Sequence, residues 1–363
     1  MKVLFYISTI RGGGAARVMV NIANGIIGKE CEVCFVTNFP ADHEYELNRS
    51  IKRIVLESEE NMRNVLSKNL NRIRVLHRIL KAEQPDVSIA FMRENNFRLI
   101  VAAKGTKTKT IVSVRNDPTK EYPDKLSRKL ANILYNKANG IVFQTEDAKA
   151  YFSKNIQNRS RIIFNQVDEK FYSENKALGE YIIACGRLSG QKNYPMMLKA
   201  FAGVLNEYPH ERLRIYGEGD LKEELMELAK ELNIEKSVQF MGFSTEMHEA
   251  YRRAKFLVMT SNYEGMPNVI LEALASSVPV IATDCPCGGP RMVIRDGENG
   301  YLVPIEDCAE FESKMKSQIS NVEKSIAMKE KAYLSAKAFT PSKVLVQWVQ
   351  MIDAVYKIGR VEV

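Results

Sequence analysis

Short apolar runs alternate with longer stretches of helical period along the first half of the chain. The runs are rich in branched residues: KVLFYIS from residue 2, CEVCFVT from 31, VSIAF from 87, KTIVSV from 109 and GIVFQT from 140. Such alternation is typical of parallel strands whose sheet is covered by helices. It predicts a doubly wound α/β domain.

The same pattern starts again after a polar, irregular segment near residues 166–178. The second series of strand-like runs is EYIIACGRL from residue 180, ERLRIYGEG from 211, SVQFMGF from 237, AKFLVMTS from 254 and VPVIATD from 278. A chain of 363 residues also exceeds the size at which one core usually keeps growing. We therefore predict two domains, 1–167 and 168–340.

The last residues, 341–363, are predicted to contribute a C-terminal helix. Within 340–358 a Thr-Pro start is followed by apolar side chains at helical spacing, namely Val344, Trp348, Met351, Ile352 and Tyr356. This helix either closes the second domain or crosses back to the first.

Residues 61–82 form a basic amphipathic pattern. Apolar side chains lie on one side: Met62, Val65, Leu66, Ile73, Leu76, Ile79 and Leu80. Basic side chains lie on the other: Arg63, Lys68, Arg72, Arg74, Arg78 and Lys81. A helix of this kind either lies on an anionic membrane or packs on a core and exposes a solvated basic surface. The sequence leaves both interpretations open.

Charge is divided unequally along the chain. The net charge is +8, but residues 1–167 contain 28 Lys and Arg against 16 Asp and Glu, a net +12, and the remainder carries −4. A basic half indicates an anionic partner or membrane surface, or simply a solubilising surface. The apolar run before Arg11 is too short for a signal sequence or a spanning helix. We expect a cytoplasmic protein, either soluble or peripheral on the inner face of the cell membrane.

The segment YEGMPNVILEALA, residues 263–275, carries two glutamates in apolar surroundings. Pro267 suits the first position of a helix, which predicts a helix over about residues 267–275. Glu264 then precedes the helix, whereas Glu272 lies in its second turn, too deep for a capping box or for the helix dipole to explain. Glu272 is predicted to face a hydrogen-bond donor, with a structural salt bridge as the alternative.

The start of that helix is suited to bind a phosphate or diphosphate. Helix N-termini present open amides to anions, and Gly265 has no Cβ where the backbone approaches a ligand. Glu264 would then lie near the hydroxyls of an attached sugar, and Glu272 near those of a ribose. A nucleotide diphosphate sugar would satisfy all three features.

Four segments carry a resemblance to a known family. EGMPNVILEALA is similar to the E-x7-E signature of retaining glycosyltransferase family 4, whose GT-B fold has two facing Rossmann-like domains with an interdomain cleft. GRLSGQKN from residue 186 resembles the family's Arg and Lys segment, YGEGDLKEELMELAKEL from 216 its next strand and helix, and IRGGGAARV from 10 its glycine loop. These motifs occur in family order over nearly the whole chain.

The resemblance implies roles for individual residues. Arg187 and Lys192 would bind the donor diphosphate and stabilise the leaving group, because fixed cations offset its charge. Glu264 would hold the donor sugar and Glu272 the ribose. Further donor contacts would come from Gly265, Met266, Pro267 and Asn268 and, across the cleft, from Gly13 and Gly14 with Gly12 before them. For Arg187 and Lys192 the alternative is a solvated loop, and the glycine loop can also approach the acceptor.

Several positions are informative because they lack the residue type that a related enzyme would have there. Many relatives have an acidic residue where this chain has Ala16, and they commonly have a His where this chain has Arg115 and Asn116. Arg115 and Asn116 are therefore acceptor-side candidates, and an ion pair of Arg115 with Asp117 is the alternative. A dehydrogenase would end its second strand with an acidic residue, where this chain has Asn38.

The sequence predicts no metal site. Cys31 and Cys34 have a CxxC spacing within a strand-like run, but no second CxxC completes a zinc site. No D-x-D triplet occurs anywhere in the sequence, and metal-dependent glycosyltransferases usually hold the ion with such carboxylates. We predict catalysis without a divalent cation or other cofactor.

The function that the resemblance implies is a retaining hexosyltransferase. It would move a hexose or N-acetylhexosamine from a UDP-sugar to a lipid-linked or growing surface-polysaccharide acceptor, and no nucleic acid partner is expected. A nucleotide-sugar epimerase of the same fold and a non-catalytic sugar-nucleotide-binding protein are the alternatives.

Overall fold

The chain forms two compact units. The computed structural model describes residues 1–11, 13–28, 30–56 and 65–358, with the backbone only for residues 65 and 66. Unit 1 contains Met1–Phe164 and the segment that starts at Ser342, and unit 2 contains Asn165–Pro341. The chain therefore passes between the units twice.

Unit 1 is built on a parallel sheet. Its strands are β1 Lys2–Ile7, β2 Glu32–Thr37, β3 Lys52–Val55, β4 Val87–Phe91, β5 Lys109–Ser113, β6 Gly140–Phe143 and β7 Ser160–Ile162. In space the order is β3-β2-β1-β4-β5-β6-β7. The order reverses between β1 and β4, and ligands of open α/β sheets bind beyond the carboxyl ends of the strands at such a reversal.

The helices of unit 1 connect these strands. They are α1 Gly14–Ile26, α2 Val65–Glu83, α3 Arg93–Ala102, α4 Pro118–Glu121, α5 Lys125–Tyr135, α6 Glu146–Ala150 and α7 Lys154–Asn158. Central strands β1 and β4 are buried almost throughout, because helices cover the faces of the sheet.

Unit 2 repeats the arrangement. Its strands are β8 Tyr181–Cys185, β9 Leu213–Tyr216, β10 Val238–Gly242, β11 Ala254–Met259, β12 Val280–Thr283 and β13 Gly300–Val303. Its helices are α8 Tyr194–Leu205, α9 Lys222–Glu231, α10 Met247–Arg252, α11 Asn268–Ala275, α12 Gly289–Val293, α13 Cys308–Ser320 and α14 Val322–Ala336. The parallel sheet has the order β10-β9-β8-β11-β12-β13, with its reversal between β8 and β11. The predicted α/β, doubly wound fold class is thus confirmed in both units.

The last helix, α15 Pro341–Tyr356, packs on unit 1. Trp348 is fully buried, and its ring centroid lies 5.5 Å from that of Phe91 on β4. A Cβ on Gly140 would lie 2.4 Å from Cε of Met351, so the helix approaches β6 closely where glycine leaves room.

Helix α2 covers most of the basic segment 61–82, of which residues 61–64 lie outside the described residues. Leu76 and Leu80 are buried in a cluster with Leu4 of β1. Arg74 and Arg78 are exposed. In its described part, the helix therefore directs its apolar side at the core. Among the described helices, none has the length and apolar character that a membrane span needs.

A buried lysine fastens α14 to its neighbours. Lys329 is fully buried, and its Nζ donates to the carbonyl oxygens of Ala254 at 3.5 Å and Ser277 at 3.3 Å. Burial lowers the pKa of this amine from 10.5 to about 8, because it disfavours the charged form. Between these two values the unfolded chain binds more protons at Lys329 than the folded chain does. The residue therefore makes the free energy of unfolding rise with pH.

We expect Lys329→Met to remove this dependence. Relative to the variant, the free energy of unfolding of the wild type should rise by about 2 kcal/mol from about pH 7 to about pH 9.5, as measured by chemical denaturation. Lys199→Met, which removes an exposed lysine of α8, is the matched control. If the difference in free energy of unfolding between wild type and Lys329→Met does not change with pH, the pKa of Lys329 is not lowered.

Candidate active site

An ion pair between Lys192 and Glu264 lies at the carboxyl end of the unit 2 sheet. Nζ of Lys192 lies 2.5 Å from Oε1 of Glu264, and Oγ of Ser261 donates to the same oxygen at 2.8 Å. The two charged side chains are only 15% and 10% exposed. A charged side chain that is buried to this extent is destabilising unless an opposite charge lies beside it. Lys192 and Glu264 compensate each other in this way.

The loop after β8 places Lys192. Gly186 adopts φ +149°, and a Cβ there would lie 3.0 Å from Cε of Lys192, so glycine leaves space for the lysine side chain. Asn193 adopts the left-handed conformation directly before α8. Oγ1 of Thr260 donates to the carbonyl oxygens of Lys192 at 3.0 Å and Asn193 at 2.9 Å. The lysine backbone is thereby held to the end of β11.

The loops after β8 and β11 are joined by further hydrogen bonds. The Asn262 amide donates to the carbonyl oxygen of Gln191 at 2.8 Å, and Nε2 of Gln191 donates to the carbonyl oxygen of Tyr263 at 2.9 Å. Because β8 and β11 are parallel neighbours at the reversal of strand order, these loops lie where open α/β sheets bind ligands.

Helix α11 follows the Glu264 loop and begins at Asn268. The prediction that Pro267 occupies the first helical position is wrong by one residue: Pro267 caps the helix with an extended ψ of 116°. Gly265, Met266 and Pro267 are buried in the turn before it. Nδ2 of Asn165 donates to the carbonyl oxygen of Met266 at 3.2 Å and to Oδ1 of Asn268 at 2.6 Å. The turn before the helix is therefore held by Asn165, a residue that lies outside the sequence motifs.

A second loop, residues 284–289, supports the Glu264 backbone. The Glu264 amide donates to the carbonyl oxygen of Pro286 at 2.6 Å, and the Cys287 amide donates to that of Glu264 at 2.9 Å. A Cβ on Gly289 would lie only 1.7 Å from the carbonyl oxygen of Gly265. None of the sequence motifs includes this loop, although its CGGP run could have indicated a close backbone approach.

We expect Gly289→Ala to displace this loop and destabilise unit 2 by about 1–3 kcal/mol, the usual cost of overpacking. The backbone of Gly289 does not need glycine for its φ, so the substitution tests the contact alone. Chemical denaturation measures the loss. Gly28→Ala is the control, since a Cβ there meets nothing within 4 Å. Unchanged stability of Gly289→Ala would contradict the close approach.

Glu272 lies in the second turn of α11, where the sequence predicts it, and is buried. Burial raises the pKa of the Cys185 thiol at the end of β8 to about 12, and the Glu272 carboxylate contributes to this rise. Glu272 therefore acts electrostatically on the end of β8, in the same part of the unit as the Lys192 loop.

Arg187 is exposed, one residue beyond Gly186. Its side chain lines a cavity of about 590 Å³ together with Leu188, Ser189, Gly190, Glu218, Gly219, Asp220 and Leu221. A Cβ on Gly219 would lie 2.3 Å from the carbonyl oxygen of Leu188, so glycine lets the loops after β8 and β9 meet. The cavity thus shares one loop, residues 186–193, with Lys192.

The glycine loop of unit 1 precedes α1. Gly13 caps the helix with φ +79° and Gly14 is its first residue. A Cβ on Gly13 would meet nothing within 4 Å, so glycine is needed for its conformation and not for space. Gly12 lies outside the described residues.

Arg115 and Asn116 follow β5 in unit 1. The Arg115 guanidinium lies 3.8 Å from the ring centroid of Phe91 and 5.7 Å from that of Trp348, a cation–π arrangement. Burial lowers the pKa of Arg115, which nevertheless stays protonated at neutral pH. Asp117 is buried and caps α4 through hydrogen bonds from the amide and hydroxyl of Thr119, both 2.8 Å long.

Metal-binding side chains do not cluster in the described part of the chain: no three His, Cys, Asp or Glu residues there are placed to hold an ion. Cys31 and Cys34 are free thiols, and burial raises the pKa of Cys34 to about 11.

Two family profiles match adjoining parts of this chain. The family described as "Glycosyltransferase Family 4" matches residues 12–171, and that described as "Glycosyl transferases group 1" matches residues 166–335. The chain belongs to the family 4-type GT-B glycosyltransferases. The predicted family is thereby confirmed.

Curated relatives align with most of this glycosyltransferase. A Campylobacter jejuni enzyme named GalNAc-alpha-(1->4)-GalNAc-alpha-(1->3)-diNAcBac-PP-undecaprenol alpha-1,4-N-acetyl-D-galactosaminyltransferase is 27% identical over 98% of this chain and 99% of its own. A second C. jejuni enzyme, N-acetylgalactosamine-N,N'-diacetylbacillosaminyl-diphospho-undecaprenol 4-alpha-N-acetylgalactosaminyltransferase, is 29% identical over 71% of this chain and 74% of its own. The names of both describe transfer to a diphospho-undecaprenol-linked saccharide.

Solved structures share the fold of this glycosyltransferase. Anabaena HepE in complex with UDP and glucose gives a TM-score of 0.82 at 17% identity, over 98% of this chain and 100% of that chain. Sucrose-phosphate synthase from Thermosynechococcus elongatus gives 0.86 at 14% identity, over 99% and 100%. The GT-B fold class predicted from the sequence is confirmed.

Proposed function

We propose that this glycosyltransferase moves a hexose or N-acetylhexosamine from a UDP-sugar to a hydroxyl group of a lipid-linked or growing surface-polysaccharide acceptor. The observation that carries the proposal is the contact of Lys192 with Glu264 beside the start of α11. It places a cation and a carboxylate next to a helix end that favours anions. UDP in the HepE complex supports the donor, and the undecaprenol-linked substrates in relatives' names support the acceptor.

Lys192 and Arg187 offset the negative charge that develops on the departing UDP. Their loop is held by hydrogen bonds to the end of β11, so the charges need little reorganisation during the reaction. Glu264 accepts hydrogen bonds from the donor sugar and orients Lys192. Glu272, deeper in α11, accepts from the ribose.

The remaining donor contacts in unit 2 come from the backbone of the turn before α11. Their residues are Gly265, Met266, Pro267 and Asn268. On the acceptor side, Arg115 and Asn116 at the carboxyl end of β5 meet anionic groups of the acceptor. The Arg115 cation is stacked on Phe91, which fixes its direction.

Transfer proceeds with retention of anomeric configuration and without a metal ion. The acceptor oxygen attacks C1 on the face from which UDP departs; the bond from C1 to the phosphate oxygen breaks while the new glycosidic bond forms. The proton of the acceptor hydroxyl passes to the departing phosphate. Lys192 and Arg187 supply the positive charge that a divalent cation provides in other transferases.

A thermal-shift panel of nucleotide sugars, followed by UDP release with undecaprenol-linked acceptors, tests the proposal. The cognate donor should give the largest shift at equal concentration if it binds tightest. UDP release should require acceptor and persist in excess chelator, and NMR of the product should show the anomeric configuration of the donor. Conversion of the donor sugar without acceptor would identify an epimerase, and donor binding without turnover would identify a binding protein.

The proposed acceptor places the enzyme at the cytoplasmic face of a membrane. A polyprenol-linked saccharide keeps its lipid in the bilayer, so the enzyme must work at the bilayer surface. Peripheral attachment is therefore part of the proposal.

A further inference from the structure

Helix α5 directs an apolar stripe at solvent. Leu126, Leu130 and Ile133 are 77%, 50% and 47% exposed. Their spacing of four and three residues places them on one face of the helix. Ala131 and Tyr135, on the opposite face, are buried. The helix therefore packs on unit 1 through small and aromatic residues and turns its large aliphatic side chains outward, the reverse of an ordinary surface helix.

The helix is firmly placed in this orientation. Asp124 caps it, accepting from the amides of Leu126 at 2.9 Å and Ser127 at 2.8 Å. The hydroxyl of Tyr135 lies 2.8 Å from that of Tyr122 and accepts from Nδ2 of Asn96 at 3.1 Å. A rotation that buried the stripe would break these contacts, so the exposure of Leu126 and Leu130 is built into the fold.

Positive charge accompanies the stripe. Lys125 and Lys129 are exposed, and the helix contains no acidic residue. Lys125 and Lys129 each directly precede a stripe leucine, so they line one side of the stripe. Long lysine side chains can keep their ammonium groups in the headgroup layer while neighbouring leucines enter the apolar layer. An anionic bilayer surface matches both features.

We propose that α5 docks this glycosyltransferase on an anionic lipid bilayer, with Leu126, Leu130 and Ile133 inserted below the headgroups. This inference rests on the proposed function, because a lipid-linked acceptor requires work at a membrane. It assigns docking to α5 and not to α2, whose basic pattern is stronger in the sequence. In α2, Leu76 and Leu80 are buried in the core and are not available to lipid.

The location of α5 suits delivery of a lipid-linked saccharide. Strand β5 ends at Ser113, the acceptor-side candidates Arg115 and Asn116 follow, and α4 begins at Pro118. Only three residues then separate α4 from α5. The carbonyl oxygen of Glu121 accepts from Nη1 of Arg93 at 2.7 Å, which holds the end of α4 to the start of α3. Helix α5 is therefore held near the carboxyl end of β5, where the acceptor-side candidates lie.

Vesicle sedimentation with the full chain tests the docking surface. Wild type should bind vesicles of phosphatidylcholine with phosphatidylglycerol, bind phosphatidylcholine alone far more weakly, and lose binding in high salt. Leu126→Asn with Leu130→Asn should weaken binding at least about tenfold, because two large apolar side chains no longer enter the bilayer. Val346→Asn on α15, where Val346 is 54% exposed, is the matched control and should bind as wild type.

The tryptophan fluorescence of a Leu130→Trp variant reports directly whether this position enters the bilayer. The single native tryptophan, Trp348, is fully buried, so it contributes a signal that lipid does not reach. A blue shift of Leu130→Trp emission on anionic vesicles supports insertion. Full vesicle binding by the double asparagine variant, or emission of Leu130→Trp that vesicles leave unchanged, would overturn the proposal. A dimer that the double variant dissociates, with no vesicle binding by wild type, would assign the stripe to a second copy of the chain.

A comparison of acceptors separates this inference from the proposed function. The double asparagine variant should keep wild-type transfer to a water-soluble acceptor analogue and an unchanged thermal shift with the donor, while transfer to a lipid-linked acceptor in vesicles falls. Vesicle binding through α5 without transfer to any acceptor would refute the proposed function and leave the docking surface in place. Equal transfer by variant and wild type in vesicles would refute the docking role.

Discussion

Lys192→Ala is expected to lower kcat for sugar transfer by at least about 100-fold, the usual scale for losing one preorganised electrostatic contact. In the proposed reaction the Lys192 ammonium offsets the charge that grows on the departing UDP. The side chain is only 15% exposed, so water replaces it poorly. Its loss also leaves Glu264 without its cation in a buried setting. Steady-state kinetics with the cognate donor and acceptor measures the effect.

Lys199→Ala is the matched control for this variant. Lys199 lies on α8, seven residues further along the chain, and is exposed. Its removal takes away the same charge from the same region and should leave kcat near the wild-type value. Circular dichroism should show both variants folded. Near-normal turnover of folded Lys192→Ala would exclude Lys192 from stabilising the leaving group.

Glu264→Gln should also reduce kcat by at least about 100-fold. Glutamine keeps the size of the side chain and an oxygen that can accept from Ser261, but it removes the charge that pairs with Lys192. Hydrogen bonds from a sugar hydroxyl to a carboxylate are stronger than those to an amide. The variant therefore tests the effect of the negative charge of Glu264 while the size of the side chain stays the same. Kinetics at saturating donor measures kcat, and Glu298→Gln, which is exposed, is the control.

The double variant Lys192→Ala with Glu264→Gln tests whether the two residues act together. Residues that work as a unit are non-additive, so the double variant should lose far less than the product of the two single losses. Losses that multiply would mean that the 2.5 Å contact has no catalytic role and that each side chain acts alone.

Much of the fold was accessible from the sequence because its signals are local. Runs such as VSIAF are apolar along their whole length, and the structure buries every residue of β4. The restart of the pattern after residue 178 gave the second parallel sheet, and four ordered motifs gave the family. The start of α11 was placed one residue early, since Pro267 fits the first helical position as well as the cap.

Other features depend on contacts between distant segments, and no local pattern encodes them. Asn165 bonds to a turn about one hundred residues away, and Gly289 meets Gly265 because two loops converge. The apolar spacing in α5 would predict an inward face, whereas the packing of Tyr135 against Tyr122 turns that face outward. Conversely, the basic amphipathic pattern of segment 61–82 was compatible with membrane binding. In the described part of the segment, however, the apolar side chains pack on the core.

The return of the chain to unit 1 at Ser342 has a consequence for synthesis. Chains leave the ribosome from the N-terminus, and domains generally fold as they emerge. Unit 2 is continuous in sequence and can fold once α14 has emerged. The core around Phe91, in contrast, stays open until α15 supplies Trp348. The unit translated first is therefore expected to be the last to complete its folding, and premature termination before residue 342 would leave that apolar surface bare.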